Sequence, residues 1–346
     1  MRAATSEVVT SRDAWDAVVV ELGGHPLQLW GWGEVKAAGP WTAYRVRVTR
    51  DGELLGAAQI LVRRLPAPFG RLSYVPRGPV VAGDGGEGSD ATSERRAAVL
   101  SAVATWCREN VGGVGVSFEP DWSLGTAPEL PGLVTATETV LVPTTVILDL
   151  TRSAEELLAD MDRSPRRDIR KAGRDGMDVR RVTSEDEVRR VREVYRETAE
   201  RAGFALHSDE YYLAVHRELG ERSVLVAAYA DDAPTCFSWC INSDRTSFQL
   251  YGGSNDVGRR MRATPAVYWR TVEIAQEAGL ERFDFNGLLN DGISAFKRSL
   301  ASHDDALVGT LDVPFSWRYG LWVRALPTAK RVLRAVRGGA RGQGSS

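Results

Sequence analysis

Residues 223–287 read SVLVAAYADDAPTCFSWCINSDRTSFQLYGGSNDVGRRMRATPAVYWRTVEIAQEAGLERFDFNG, and this stretch decides the fold. SVLVAAYA, TCFSWCINS and TSFQLYGGS are apolar runs of strand type, with DDAP and SDRT at the two turns between them. They predict three consecutive strands. TPAVYWRTVEIAQEAG then has helical spacing, with Pro265 in the first turn where its missing N–H costs nothing. ERFDFNG closes the stretch as a strand on which Asp284 faces opposite to Phe283 and Phe285.

Helices flank this core on both sides. SAEELLADM opens with Ser153 at the N-cap and Glu156 three residues on, a capping box, and SEDEVRRVREVYRETAERAG repeats the signature with Ser184 and Glu187. SPRRDIRKAGRDG is a short basic helix, SDEYYLAVHRELG another helix, ISAFKRSL a short one, and ALVGTLDVP a last strand.

The N-terminal half follows a similar plan. SRDAWDAVVVEL and LQLWGWGEVKAAG predict two helices, and TAYRVRVTRDGELLGAAQILVRRLP a hairpin turning at Asp51-Gly52. RLSYVPRGPVV is a short strand interrupted by Pro76 and Pro79, GDGGEGSDATS a flexible loop, ERRAAVLSAVATWCREN a helix and VGVSFEP a strand. The fold class expected is α/β (α+β): two tandem acetyltransferase-like (GNAT) units, without a visible sequence repeat. The boundaries expected are 1–144 plus 309–337 for the first unit, 145–308 for the second, and a disordered tail at 338–346.

Composition sets limits on function. With 346 residues, two domains of roughly 150 residues are expected. The net charge of −2 gives no overall pull on a polyanion, so any such site must come from local clustering. Lysine occurs only at 36, 171, 297 and 330, in a chain that otherwise uses arginine. Cys107, Cys236 and Cys240 form no disulfide framework, and with the scattered histidines they offer no metal-ligand spacing. The opening MRAATSEVVTSRDAWD has no apolar run of signal-peptide length, and no stretch approaches the ~20 apolar residues of a membrane span. A reduced, cytoplasmic setting is expected.

Three groups of motifs occur in order: WGEVKAAG with RLSYVPRGPV; RRDIRKAGRDGMDV with TAERAGFALHSDEYY; and LYGGSN, FDFNG and ISAFKR. Together they resemble the FemABX family of non-ribosomal peptidyl transferases, over nearly the whole chain from about Trp30 to the last strand. The resemblance implies two GNAT-like domains without a coiled-coil insertion, no metal, no coenzyme A, aminoacyl-tRNA as acyl donor, and a UDP-linked or lipid-linked muropeptide as acceptor.

By the same resemblance Lys36 matches a lysine contacting the acceptor's diphosphate, and Tyr251 a tyrosine lining the acceptor site. Lys297, preceded by Phe296, matches the lysine nearest the acyl-transfer centre. Tyr74 and Arg77 lie in the matching RLSYVPRGPV stretch. The chain departs from the pattern twice. His207 stands where the family often has a phosphate-holding basic residue, and FKRSLASHDD lacks the FG that usually follows FK.

Chemistry supports some of these roles independently. Acyl transfer from an ester to an amine develops an oxyanion, which the compact ammonium of Lys297 suits. Asp284 is a candidate to orient Lys297 or take a proton from the amine, its plainer reading being a buried acid bonded to a loop. Arg77, held between Pro76 and Gly78, is aimed at an anion or pins the two halves together. Lys36 beside Trp32 reads, without the family, as a solvated helix residue. Arg166, Arg167, Arg170 and Lys171 lie in the densest cationic run, suited to tRNA phosphates or simply to a solvated face. The segment SWRYGLWVRALPTAKRVLRAVR packs on the first domain or touches an anionic membrane surface. A monomer is expected. The same chemistry on a natural-product scaffold, a coenzyme-A-dependent N-acyltransferase and a non-catalytic binding module are the alternatives. SNDVGRRMRATPAVYW lacks the later glycine of a pyrophosphate loop, which argues against coenzyme A.

Overall fold

The computed structural model describes residues 3–85, 89–289 and 292–325. Its first half runs β1 Thr5–Val8, α1 Arg12–Glu21, α2 Trp30–Ala37, β2 Trp41–Arg50, β3 Glu53–Arg64, β4 Arg71–Pro76, β5 Val80–Val81, α3 Asp90–Asn110, β6 Gly115–Glu119 and β7 Val134–Thr135. It continues with β8 Thr144–Thr145, β9 Ile147–Asp149, α4 Ala154–Asp160, α5 Arg163–Arg174, β10 Val179–Val182, α6 Glu185–Ala202 and α7 Asp209–Leu219. β11 Ser223–Ala230, β12 Ala233–Asn242, β13 Thr246–Ser254, α8 Asp256–Met261, α9 Thr264–Glu277, β14 Arg282–Asp284, α10 Gly292–Arg298, β15 Asp305–Ala306 and β16 Leu311–Pro314 complete it.

Two sheets result, in the orders β1-β2-β3-β4-β6-β16-β7 and β10-β11-β12-β13-β14-β9, with β5 added to β3. Each is an antiparallel meander in which one helical crossover, α3 or α9, leads to a parallel neighbour: β4 with β6, and β13 with β14. The flanking antiparallel strands are exchanged. β9 precedes the second meander and pairs with β14, whereas β16 follows β14 in the chain yet pairs with β6. Where the two crossing segments pass, β8 and β15 pair with each other.

Local chemistry explains much of this. Asp51 and Gly52 both take positive φ, as a two-residue hairpin turn requires. Ser153 and Glu156 form the full capping box. The expected loop GDGGEGSDATS is shorter than its composition suggests, because Ser89 accepts from the Thr92 N–H and starts α3 at Asp90. RLSYVPRGPVV is two strands rather than one, with the chain turning through Arg77. Among the strands that the sequence reading omits are the short edge strands β1 and β10.

One core lies between the first sheet and α3, around Val48, Ile60, Val99 and Phe118. A second lies under α9, where Cys236, Cys240, Phe283 and Phe285 are buried. The third core is shared: Leu27, Trp32 and Val35 of the first half pack with Tyr212, Leu225, Trp239 and Phe248 of the second. No helix among the described residues is long and apolar enough to cross a membrane.

Candidate functional site

The shared core brings α2 and α7 together. Lys36, in the last turn of α2, donates from Nζ to the Tyr211 hydroxyl at 2.7 Å. The ammonium lies 4.3 Å from the Trp32 ring centroid and 4.9 Å from that of Tyr211, a cation–π arrangement. Tyr251, on β13, donates to the same Tyr211 oxygen at 3.3 Å, and the His207 ring stacks on Tyr211 with centroids 4.0 Å apart. Three expected residues, Lys36, His207 and Tyr251, thus converge on a tyrosine that the sequence reading did not single out. Its only sequence signal is the position just inside the α7 start, where the Tyr211 N–H donates to the Ser208 hydroxyl. Burial pushes the Lys36 ammonium down to about 8 and the Tyr211 hydroxyl up to about 12. Lys36 is therefore half-buried rather than solvated, because α7 arrives over it.

On the opposite face of the second sheet, β13 and β14 share only a short ladder. They pair only from Thr246–Arg282 to Phe248–Asp284, although β13 runs on to Ser254. Lys297 lies at the turn that follows β14. Its Nζ donates to the carbonyls of Asn286 at 3.1 Å and Gly287 at 3.3 Å. Phe296 packs edge-on against Tyr268 at 5.1 Å and anchors α10 to the core. Asp284 faces away from Phe283 and Phe285 as expected, toward the first half. Its Oδ1 accepts from Thr145 Oγ1 at 2.5 Å and from the Asn286 N–H at 2.7 Å. Oδ2 lies 3.9 Å from the Arg77 guanidinium. Burial raises the Asp284 carboxyl above its usual range, against the pull of Arg77.

Near Arg77 a cavity of about 310 Å³ is lined by His25, Arg77, Asp121, Arg245, Arg282 and Asp305. Arg282 donates to Asp121 at 2.8 Å. Burial alone would raise the Asp121 carboxyl; Arg282, His25 and Arg77 hold it below the usual range. His25 Nδ1 accepts from the Leu27 N–H, and burial lowers this imidazole to about 3.

The FemAB family model matches residues 127–236. A Lipid II:glycine glycyltransferase of Staphylococcus aureus (strain COL) is 27% identical over 207 residues, covering 57% of this chain and 48% of the relative. The chain thus spans about half the length of that relative. A crystal structure of FemX superposes with a TM-score of 0.78 at 19% identity, over 92% of this chain and 98% of that one. The chain resembles the FemAB family over residues 127–236 and shares the fold of FemX. A tandem GNAT protein from the clavulanic acid biosynthesis pathway shares the fold at TM-score 0.51 and 12% identity, over 90% of this chain and 98% of the other.

The remaining expected residues lie apart from the Tyr211 cluster. The Tyr74 hydroxyl donates at 2.5 Å to Glu119, which also accepts from Thr310 Oγ1 and the N–H groups of Val140 and Leu141. Tyr74 thereby stitches β4 to the chain beyond β6, while its ring lines a small apolar groove with Trp41 and Trp322. On α5, Pro165, Ile169 and Ala172 are buried and Arg167, Arg170 and Lys171 exposed; Arg166 is half-buried and donates to the Ala159 carbonyl. Arg167 pairs with Asp168, and Lys171 with Asp175. Residues 318–325 are helical. Here Trp322 packs on Phe69 and Arg318 donates to the Pro68 carbonyl, so the helix start rests on the β3–β4 turn. Lys330, Arg331, Arg334 and the tail at 338–346 lie outside the described residues.

Proposed function

We propose that this chain transfers an amino acid, glycine, alanine or serine, from aminoacyl-tRNA to an amine of a peptidoglycan precursor, UDP-linked or lipid-linked, as a step in building the interpeptide bridge. The observation that carries this reading is the placing of two lysine-centred groups on the second sheet. A cationic aromatic cluster built on Lys36, Tyr211 and Tyr251 serves one face of the sheet, and Lys297 the other. The name of the staphylococcal relative, a glycyltransferase acting on lipid II, supports the reaction class and a lipid-linked acceptor.

In this reading the acceptor's diphosphate meets Lys36, with His207 at the rim and the Tyr211 hydroxyl as a further donor. Tyr74 and Arg77 belong to the same half, which takes the precursor (1–144 plus 309–337); 145–308 takes the acyl donor. The acceptor amine, uncharged, attacks the ester carbonyl near Lys297. The Lys297 ammonium stabilises the oxyanion that forms, with Phe296 fixing its helix. Collapse forms the amide, breaks the ester C–O bond and leaves the amine's proton on the ribose hydroxyl. Asp284, turned toward Arg77 and Thr145, serves as the support of the loop holding Lys297 rather than as the proton acceptor. The exposed face of α5, with Arg166, Arg167, Arg170 and Lys171, tracks tRNA phosphates without reading sequence. The enzyme works as a cytoplasmic monomer whose C-terminal basic segment approaches the membrane bearing the acceptor.

A coenzyme-A reading is disfavoured by the β13–α8 turn. Gly258, in the first turn of α8, is committed to packing, since a Cβ would lie 2.3 Å from the Thr235 carbonyl oxygen. The deciding experiment incubates the protein with total tRNA charged with labelled amino acids and with soluble and lipid-linked muropeptides. Label should enter the peptide only with intact aminoacyl-tRNA. Failure with both acceptors, with transfer from acetyl-CoA instead, would overturn the reading; transfer to another amine scaffold would point to the natural-product variant.

A further inference from the structure

Two charge pairs cross between the halves with opposite polarity. The first half contributes Arg77, just past β4, and Asp121, just past β6; the second contributes Asp284 and Arg282, two apart on β14. Because β4 and β6 are parallel neighbours, their ends present these charges side by side to one face of β14. The Arg77–Asp284 pair is the more deeply buried, with side chains 2% and 1% exposed.

Such a pair is a poor way merely to join two surfaces. Apolar groups of the same volume do as well or better, since burying both charges costs more solvation than their attraction returns. Arg77 also sits at φ 48, a left-handed conformation uncommon for a residue with a side chain. Its Nε and Nη2 are buried, with Nη2 turned to Asp284 rather than to solvent.

The other oxygen of Asp284 shows what the pair does. Oδ1 accepts from the Asn286 N–H and fixes the turn in which Asn286 adopts φ 60. The carbonyls of that turn, Asn286 and Gly287, receive the Lys297 ammonium. The turn is pressed against the crossing segment, for a Cβ on Gly287 would lie 2.5 Å from Val142 Cβ. Thr145, from the same segment, holds Oδ1 as well. Rotation of the Asp284 carboxylate would therefore release the turn, and Arg77 is the charge that faces its remaining oxygen.

We propose that Arg77 of the first half is a positioning residue for Lys297 of the second: acting through Asp284, it fixes the Asn286–Gly287 turn that holds the lysine ammonium. The assignment rests on the reading of Lys297 as the group nearest acyl transfer. It couples the precursor-binding half to the acyl-transfer centre without touching substrate.

The test uses the full chain labelled with ¹³Cε-lysine, whose four lysines give few resonances, with Lys297 assigned by its loss in Lys297→Met. Arg77→Gln and Asp284→Asn should each displace the Lys297 resonance while leaving that of Lys171 in place. Arg77→Gln added to Asp284→Asn should displace it no further. In turnover, Arg77→Gln should lower kcat about tenfold to a hundredfold, as a small misplacement of a catalytic group does, with little change in the muropeptide KM. Arg77→Lys should recover part of the loss. An unmoved Lys297 resonance in folded Arg77→Gln, or effects of the two substitutions that add, would overturn the proposal. So would a raised muropeptide KM at unchanged kcat. Should Arg77→Gln not fold, Asp284→Asn alone must displace Lys297, and its failure to do so overturns the proposal equally. The resonance needs no turnover, so a chain without transferase activity would sink the functional reading and leave this test intact.

Discussion

The ammonium of Lys36 rests 2.7 Å from the hydroxyl of Tyr211, 175 residues away in sequence and on a helix of the other half. Burial lowers this lysine to about 8, so its charge is lost just above neutral pH. If Lys36 holds an anionic acceptor, the muropeptide KM should be flat below about pH 8 and rise above it as the proton leaves. Lys36→Met should raise KM about tenfold or more, the worth of one charge-assisted hydrogen bond, and abolish that rise. A pH-independent KM in the wild type would remove Lys36 from the acceptor site.

The approach of α2 to α7 that creates this contact depends on Gly31. A Cβ there would lie 2.3 Å from the Glu218 carbonyl oxygen, a backbone atom that cannot swing aside. Gly31→Ala should cost about 1–3 kcal/mol in urea unfolding. It should also raise the muropeptide KM, by moving Lys36 away from Tyr211. Gly173→Ala, with open space around it, is the control and should do neither. Equal behaviour of the two variants would mean that the helices tolerate separation.

Lys297 offers a sharper distinction. Lys297→Met should lower kcat by about 10²–10³, the usual cost of removing one oxyanion donor, with KM little changed. Arginine should not rescue it, because a planar guanidinium cannot occupy the half-buried place of an ammonium bound to two carbonyls beside Phe296. Steady-state kinetics with aminoacyl-tRNA varied up to saturation decide the matter, and full activity in Lys297→Met would end the catalytic assignment.

What the sequence reveals here follows the range of the interactions. The meander, the crossover helix α9 and the capped starts of α4 and α6 depend on neighbours in the chain and are legible in 223–287 and its flanks. The edge strands β1 and β10 are not: each has four residues, and Arg180 and Arg181 on β10 read as an extension of the preceding cationic run. The exchange of β9 and β16 leaves no trace in periodicity, since either strand would suit either sheet. Within the site, family motifs mark Lys36, Tyr251 and Lys297, but Tyr211 gains its place only when α7 meets α2. Asp121 and Arg282, 161 positions apart, have no local signal at all.

The exposed face of α5 makes a prediction about salt. Arg167, Arg170 and Lys171 are solvent-facing, and the Lys171–Asp175 pair is a surface pair of small worth, so a phosphate can displace that carboxylate. Replacing all three with alanine should weaken tRNA binding at low salt. It should also reduce the slope of log K against log salt by about 1 for each phosphate no longer neutralised. Arg189 and Arg196 on α6, each paired within its own helix, serve as controls. An unchanged slope in the α5 variant would place the nucleic acid elsewhere.

His25 predicts how the joined halves respond to acid. Its imidazole is held near 3 in the folded chain against about 6.5 when exposed, with burial as the cause. Between these values the unfolded chain binds a proton that the folded chain refuses. Stability from this group therefore falls as pH drops below about 6.5, at a slope approaching about 1.4 kcal/mol per pH unit. Asp121, whose carboxyl is held low, adds a loss of the same sign at more acid pH; Asp284, held high, opposes it. His25→Asn keeps a side-chain acceptor for the Leu27 N–H but has nothing to titrate. Urea unfolding at about pH 7 and about pH 5 should show a smaller loss of stability in the variant than in the wild type. Equal losses in both would mean that His25 takes its proton without disturbing the junction, and that the cavity beside Arg77 admits the charge.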